Sequence, residues 1–197
     1  MDDRSARFQE IHDTYRPRIL RYLARLAGQA EAEDLTQDVL IKVSIGLRQF
    51  RGDSGLATWI YRIATNTALD KLRGSRARMT QSAECGMAET EGGPDPEQEG
   101  GSVEASAPSV EAGVIRGEMS QCVREFVDRL PENYRTVIVL SELEGFSNAE
   151  IADIMGASLD TVKIRLHRAR EKLRQDLSTG CSFHRDERNE FACDRRP

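Results

Sequence analysis

Residues 147–174, SNAEIADIMGASLDTVKIRLHRAREKLR, predict two short helices joined by a tight turn. Ser147 and Glu150 form a Ser-x-x-Glu capping box, in which each side chain accepts a hydrogen bond from the other residue's backbone N–H. A helix therefore begins there, Gly156 supplies the left-handed residue that ends it, and Ser158 caps the next helix. Two helices separated by so few residues have the layout of a helix-turn-helix, whose second helix enters the major groove of DNA.

The second of these helices, Ser158 to Arg174, combines an apolar stripe with a cationic face. The stripe has helical spacing and must pack on a core; it consists of Val162, Leu166, Ala169 and Leu173. Residues 163–174 contain six Lys or Arg and one Glu, a local charge of +5 in a protein of formal charge −5. Taken alone, such a helix fits a solvated face, an anionic membrane surface or DNA. The helix-turn-helix context favours DNA.

On DNA, the side chains outside this stripe divide into groups that read bases and groups that contact phosphates. We expect Lys163 and His167 at base edges. Ile164 lies about 200° around the helix from Val162, so it is off the stripe. It is either a lone exposed isoleucine or a contact for a thymine methyl group. The side chains expected at phosphates are Arg165, Arg168 and Arg170.

Two segments upstream of this motif set the domain organisation. Residues 131–144 predict a further helix, with Pro131 in its first turn and Gly145 after its last. Between Ala83 and Ala112 the chain has eight acidic residues and no Lys or Arg, together with five Gly and three Pro. This composition cannot bury enough apolar surface to offset its chain entropy, so we expect a flexible acidic linker between two domains.

The chain before the linker, roughly residues 6–78, is also predicted to be helical. Apolar residues recur at helical spacing, and residues 50–55, FRGDSG, interrupt the pattern as a loop. After this loop, residues 58–66 place aromatic side chains beside basic ones, and Lys71 and Arg73 follow. This combination suits unpaired nucleic acid, because bases stack on rings while phosphates meet cations. Trp59 has a second interpretation, as a core residue of a small helical domain.

The composition also excludes several classes of protein. The 197 residues are 39% hydrophobic, which allows one or two small domains, and no apolar run approaches the roughly 20 residues that span a bilayer. The first residues lack a signal-peptide pattern, so we expect a cytoplasmic protein without membrane insertion. Walker-type phosphate loops, HExxH zinc sites and nucleophile elbows are missing from the sequence. We therefore expect neither an enzyme nor a bound cofactor.

Three segments, in this order, resemble the bacterial RNA polymerase sigma factors of the extracytoplasmic-function group. They are AEDLTQDVLIKV (32–43), FRGDSGLATWIYRIATNTALDKLR (50–73) and LPENYRTVIVLSELEGFSNAEIADIMGASLDTVKIRLHRAREKLR (130–174). The resemblance implies an all-α fold of two small helical domains. These are sigma region 2 over 1–78 and the helix-turn-helix region 4 over 114–177, joined by the flexible acidic linker, 79–113, and followed by a Cys-containing tail, 178–197.

The same resemblance implies an alternative sigma factor that binds core RNA polymerase, recognises the -35 and -10 promoter elements and promotes DNA melting. The residues that it assigns to polymerase binding are Asp34, Gln37 and Asp38. Those assigned to the proximal element and its melted strand are Arg51, Trp59, Arg62, Asn66, Lys71 and Arg73. Those assigned to the upstream element are Thr161, Lys163, Ile164, Arg165, His167, Arg168 and Arg170. It also implies an anti-sigma factor as a partner, besides polymerase and promoter DNA.

The tail after Leu177 lies outside this resemblance. The four cysteines, at 85, 122, 181 and 193, form no CxxC pair, so reduced thiols are the default. Cys181, His184 and Cys193 could supply metal ligands or a switchable thiol pair, and the alternative is a charged tail with incidental cysteines. We predict no metal site. The competing function is a helix-turn-helix transcriptional regulator that acts without polymerase, with or without a redox- or metal-sensing tail.

Overall fold

The structure, a computed structural model, describes residues 3–50, 52, 54–80, 123–185 and 191–195. Its first domain is made of helices α1 (Asp3–Ala27), α2 (Gln29–Gly46) and α3 (Leu56–Thr80). Large apolar side chains from all three helices, such as Leu23, Val43 and Ile60, are fully buried between them. The helical periodicity predicted for this half of the chain is confirmed.

Two connections shape this domain, and each needs a glycine. Gly28 joins α1 to α2 with a φ of 91°, and Gly52 has a φ of 80° in the loop before α3. Residues with a side chain rarely adopt such angles. The loop predicted at residues 50–55 is thus confirmed, although Arg51, one of the predicted DNA contacts, lies outside the described residues.

The second domain contains the predicted helix-turn-helix. Its helices are α4 (123–128), α5 (Glu132–Ile138), α6 (Asn148–Met155) and α7 (Leu159–Gly180). Both hydrogen bonds of the Ser147–Glu150 capping box form. The Ser147 hydroxyl also donates to the Glu150 carboxylate, and this bond, together with the one from the Ser147 amide, lowers the pKa of the Glu150 carboxyl. Gly156 ends α6 in the left-handed conformation, and the Ser158 hydroxyl accepts from the Thr161 amide at the start of α7. The predicted caps are confirmed.

The helix predicted over residues 131–144 is present, but its last turn is wider than an α-helix. After α5 the chain forms a π-helical turn, Val139–Leu143, in which the Glu144 amide donates to the Val139 carbonyl at 3.1 Å. The Phe146 amide then donates to the Leu140 carbonyl at 3.0 Å. This turn positions Glu144 and Phe146 beside the first domain. Such π turns are often found at functional positions.

The tail adds a feature that the sequence did not predict. Strands β1 (Cys181–Arg185) and β2 (Phe191–Arg195) form an antiparallel hairpin in which Phe183 pairs with Cys193. In each five-residue strand an arginine, Arg185 or Arg195, occupies a position where the alternation would require an apolar residue, which weakens the pattern that identifies a strand. The all-α prediction is therefore confirmed for both domains, and the hairpin is an addition to it.

The two domains pack against each other through α3 and α6. The Tyr61 ring of α3 meets the Phe146 ring edge-on, with centroids 4.8 Å apart, and buried residues of both domains form one continuous core. The acidic segment, 83–112 with Cys85, and the neighbouring Cys122 fall within residues 81–122, outside the described ranges, whereas residues 79 and 80 of the predicted linker belong to α3. Within the described residues, no helix is both long enough and apolar enough to cross a bilayer.

Candidate nucleic-acid interface

Helix α7 separates its apolar and cationic faces as its sequence predicts. Val162, Leu166 and Ala169 are buried against α5 and α6. Lys163 and His167 are exposed on the other side of the helix. Ile164 also lies on the exposed side of α7, with 36% of its surface exposed, so this apolar side chain is available to a partner. This arrangement allows α7 to enter a groove without loss of its core contacts.

The remaining predicted upstream contacts occupy two different flanks of α7. Thr161, Arg165 and Arg168 are half-buried on one flank, where the Thr161 hydroxyl shares a 2.8 Å hydrogen bond with the Ser158 hydroxyl. Arg170 lies on the opposite flank and is already paired. Its Nε and Nη2 donate to the Glu142 Oε1 at 3.2 and 2.7 Å. No local pattern in the sequence indicates this pair, because 28 residues separate its members.

The pair has a measurable consequence for DNA binding. We expect Glu142→Gln to raise the affinity for promoter duplex about two- to fivefold at moderate salt, which is the usual range for an exposed ion pair. Arg170 would then neutralise a phosphate without first leaving a carboxylate, so the slope of log K against log salt should steepen by up to about 0.9. Titration by fluorescence anisotropy at several salt concentrations measures both quantities.

Asp128→Asn is the matched control, since it removes an exposed acid from a different helix, α4, of the same domain. It should leave both the affinity and the slope within error of the wild type. Equal effects of the two substitutions would show that only net charge matters and that the Glu142–Arg170 pair does not regulate phosphate contact.

On α3, three of the predicted contacts share one exposed face. Arg62, Asn66 and Arg73 are spaced by four and seven residues, which aligns them along the helix, and all three are exposed. Asp70 lies within the same stripe and its Oδ1 is 3.6 Å from Nη1 of Arg73. Within this stripe, the Arg62 guanidinium and the Asn66 amide have no hydrogen-bond or ion-pair partner among the described residues.

Trp59 and Lys71 are placed differently from this stripe. The Trp59 ring is half-buried, with its centroid 5.1 Å from that of Phe50, and it lies so close to Gly46 that an added Cβ would be 2.9 Å from it. These contacts favour the core interpretation of Trp59. Lys71 comes nine residues after Arg62, on the opposite side of α3, where its ammonium group is 2.7 Å from the Glu31 carboxylate of α2. The structure does not bring Lys71 to the face of Arg62 and Asn66.

The outer face of α2 contains the residues predicted to bind polymerase. Asp34, Gln37 and Asp38 are all exposed on one side of this helix. Ile41 and Ile45 continue the same stripe and are 57% and 67% exposed. The sequence analysis missed these two isoleucines. Their spacing of seven and eleven residues from Asp34 was the available signal, because it sets them opposite the buried Val39 and Val43.

The hairpin separates the candidate ligands of the tail. Cys181, Phe183 and Cys193 lie on one face, because side chains alternate along a strand and Cys193 pairs with Phe183. His184 lies on the other face, with its Nδ1 3.6 Å from a carboxylate oxygen of Asp194. Cys181 and Cys193 are diagonal neighbours, about 7–8 Å apart at Cα, which is at or beyond the limit of about 7 Å for a disulfide. In the described parts of the chain, no three His, Cys, Asp or Glu side chains cluster as metal ligands.

A buried helix-turn-helix core, an exposed cationic recognition helix and a second helical domain with its own polar stripe define a class of two-domain DNA-binding transcription proteins. Family models described as Sigma-70 region 2 and Sigma-70, region 4 match residues 11–78 and 120–173. The chain belongs to the extracytoplasmic-function family of RNA polymerase sigma factors, which act in transcription initiation.

Curated relatives and a solved structure agree with this assignment. The chain is 35% identical to the extracytoplasmic-function sigma factor SigW of Bacillus subtilis over 171 residues, which is 86% of this chain and 88% of SigW. It is 36% identical to the sigma-E factor of Escherichia coli, over 81% of this chain and 80% of that protein. The sigma factor RpoE of Bartonella quintana, solved in complex with the anti-sigma factor NepR, has a TM-score of 0.62 at 26% identity. The alignment covers 87% of this chain and 96% of RpoE.

The complex of CnrH with the cytosolic domain of CnrY supports the fold alone. CnrH has a TM-score of 0.59 at 24% identity, over 89% of this chain and 90% of CnrH.

Proposed function

We propose that this sigma factor binds core RNA polymerase, recognises the -35 and -10 promoter elements and stabilises the melted strand at the second of them. One observation carries the proposal: each domain presents its own exposed polar face, on α7 and on α3, and a third face on α2 is free for polymerase. Separate faces for duplex DNA, melted DNA and polymerase are what initiation at a two-element promoter requires. A transcriptional regulator that acts without polymerase needs only the first.

For the upstream element, we assign base reading to the exposed residues of α7. Lys163 and His167 can contact base edges, and Ile164 can contact a thymine methyl group. Contacts to phosphates fix the position of the helix on the duplex without reading sequence. The side chains assigned to phosphates are Thr161, Arg165, Arg168 and Arg170.

For the proximal element, we assign the reading of the melted strand to Arg62, Asn66 and Arg73. An amide both donates and accepts hydrogen bonds, so Asn66 suits the exposed edge of an extruded base. The Arg62 guanidinium suits a phosphate, and that of Arg73 suits one in exchange for its contact with Asp70. Trp59 supports this face from the core side by its contacts with Phe50 and Gly46. Lys71 has no part in this assignment because it lies on the far side of α3.

For polymerase, we assign the outer face of α2. The carboxylates of Asp34 and Asp38 would meet a cationic surface, and the exposed Ile41 and Ile45 would form the apolar centre of the contact. We propose the boundaries 1–78, 79–113, 114–177 and 178–197 for region 2, the linker, region 4 and the tail. A polymerase partner places the proposed site of action in the cytoplasm. An anti-sigma factor is a further proposed partner, by analogy with the RpoE complex.

Run-off transcription with sigma-free core polymerase tests this function, and Asn66→Ala tests the assignment on α3. We expect wild-type protein to give a promoter-specific transcript. Asn66→Ala should reduce the transcript about tenfold or more on duplex promoter, since capture of a flipped base repays an unstacking cost of a few kcal/mol. The reduction should be smaller on a template whose proximal element is already unpaired. Asn66 is exposed, so thermal unfolding should not change.

Gln9→Ala removes an exposed amide from α1 and serves as the control. A wild-type protein that yields no transcript from any promoter in a genomic pool would refute the proposed function. An equal loss with Asn66→Ala on duplex and pre-melted templates would refute the role of Asn66 in melting.

A further inference from the structure

The exposed side of α7 has a central line of side chains, directly opposite the buried stripe. Val162, Leu166 and Ala169 mark the buried side. At about 100° per residue, positions 160, 164, 167 and 171 lie about 140–200° around the helix from Val162. All four are exposed, and we call them the crest of α7: Asp160, Ile164, His167 and Glu171.

The arginines of α7 lie on either side of this crest, whereas two carboxylates lie on it. Arg165 and Arg168 are on one flank, and Arg170 is on the other. The carboxylates of Asp160 and Glu171 form no hydrogen bond or ion pair with any described residue. Two cationic flanks suit the two phosphate strands that border a groove, so the crest between them faces the base edges.

Asp160 is the crest residue nearest the start of α7, and the start of a recognition helix is the part that contacts base edges. A carboxylate only accepts hydrogen bonds. In the major groove, cytosine presents an amino donor alone, whereas adenine presents its amino group beside the N7 acceptor. Guanine and thymine present acceptors there. A carboxylate at this position therefore favours cytosine and disfavours the other three bases.

We propose that Asp160 is a specificity-determining residue, which accepts a hydrogen bond from the N4 amino group of one cytosine in the upstream element. This inference rests on the proposed function, because it requires α7 to lie in the major groove. Ile164 follows one helical turn later on the crest, about 6 Å along the axis, so its thymine contact falls about two base pairs from this cytosine. Asp160 thus reads sequence, which contacts from the flanks to phosphates do not.

Asp160→Asn and Asp160→Ala test this assignment in the full-length chain bound to core polymerase. The probe is a duplex library with a randomised upstream element, beside the proximal element of a promoter that gives a run-off transcript, and the bound fraction is sequenced. Wild-type protein should prefer cytosine about tenfold at one position. Asp160→Asn should move this preference to adenine, because an amide pairs with both N6 and N7, and Asp160→Ala should abolish it. Preferences at the other positions should stay unchanged.

Glu171→Gln is the matched control, because it removes a carboxylate from the same crest about 16 Å further along α7, or about five base pairs away. It should keep the cytosine preference. Asp160 also lies in the first turn of α7, where a negative charge stabilises the helix. Loss of that role alone would lower the thermal unfolding temperature of both Asp160 variants and would change no base preference.

Two outcomes would overturn the assignment of Asp160. One is a wild-type protein that shows no preference for cytosine at any position of the upstream element. The other is an Asp160→Asn variant that keeps every wild-type base preference. In both cases the wild-type protein still transcribes, so the proposed function stands, whereas a wild-type protein without any transcript refutes that function itself.

Discussion

Replacement of Ile41 and Ile45 together by glutamate is expected to abolish binding to core RNA polymerase, with a loss of affinity of about 100-fold or more. Buried apolar anchors at the centre of an interface contribute about 2 kcal/mol or more each, and two new carboxylates add a desolvation cost. Both isoleucines are more than half exposed, so the free energy of unfolding should change by less than about 0.5 kcal/mol. Competition binding against labelled wild-type protein measures the loss of affinity.

The control places two glutamates elsewhere on the same domain. Thr14 of α1 and Gln49 after α2 are exposed and lie off the stripe of Asp34 to Ile45, so Thr14→Glu with Gln49→Glu adds the same charge. This variant should compete as well as the wild type. If the isoleucine variant binds polymerase as well as the wild type does, the assignment of polymerase binding to the outer face of α2 is wrong.

Phe126→Ala should lower the free energy of unfolding of the second domain by about 3–5 kcal/mol, the usual cost of deleting a buried phenyl ring. Phe126 is 5% exposed and lies so close to the end of α7 that a Cβ on Gly180 would be 2.5 Å from its ring. The Arg129 guanidinium covers the ring, 5.6 Å from its centroid. The ring therefore anchors the end of α7 and the start of the hairpin to α4. Chemical denaturation followed by far-ultraviolet circular dichroism measures the change.

Phe183→Ala is the matched control, because Phe183 lies on the hairpin and is 41% exposed. It should cost less than about 1 kcal/mol. Gly180→Ala tests the same contact from the other side, since its new methyl group would overlap the Phe126 ring and cost about 1–3 kcal/mol. If Phe126→Ala and Phe183→Ala destabilise the domain equally, the hairpin is not anchored through Phe126.

The features that the sequence predicted depend on neighbours within one or two helical turns. The caps at Ser147 and Ser158, the stop at Gly156 and the buried stripe of α7 all follow from short spacings, because a capping bond spans three residues and a helical turn 3.6. The exposure of Asp34, Gln37 and Asp38 on one face follows in the same way. The resemblance to sigma factors is visible in the sequence for the same reason, because the motifs that carry it are continuous segments of the chain.

The sequence by itself determined two helical domains, a cationic recognition helix and a family. Only the tertiary structure decided which cations are already paired, which aromatic ring is core and where the domains meet. Glu142 with Arg170, Glu31 with Lys71 and Glu144 with Tyr61 join residues on different helices, far apart in the chain. Such pairs depend on the angle and register at which helices pack, which no periodicity within one helix encodes. The hairpin was hidden for a related reason: its strands are stabilised by pairing with each other and by the burial of Cys181, so neither strand has a strong pattern of its own.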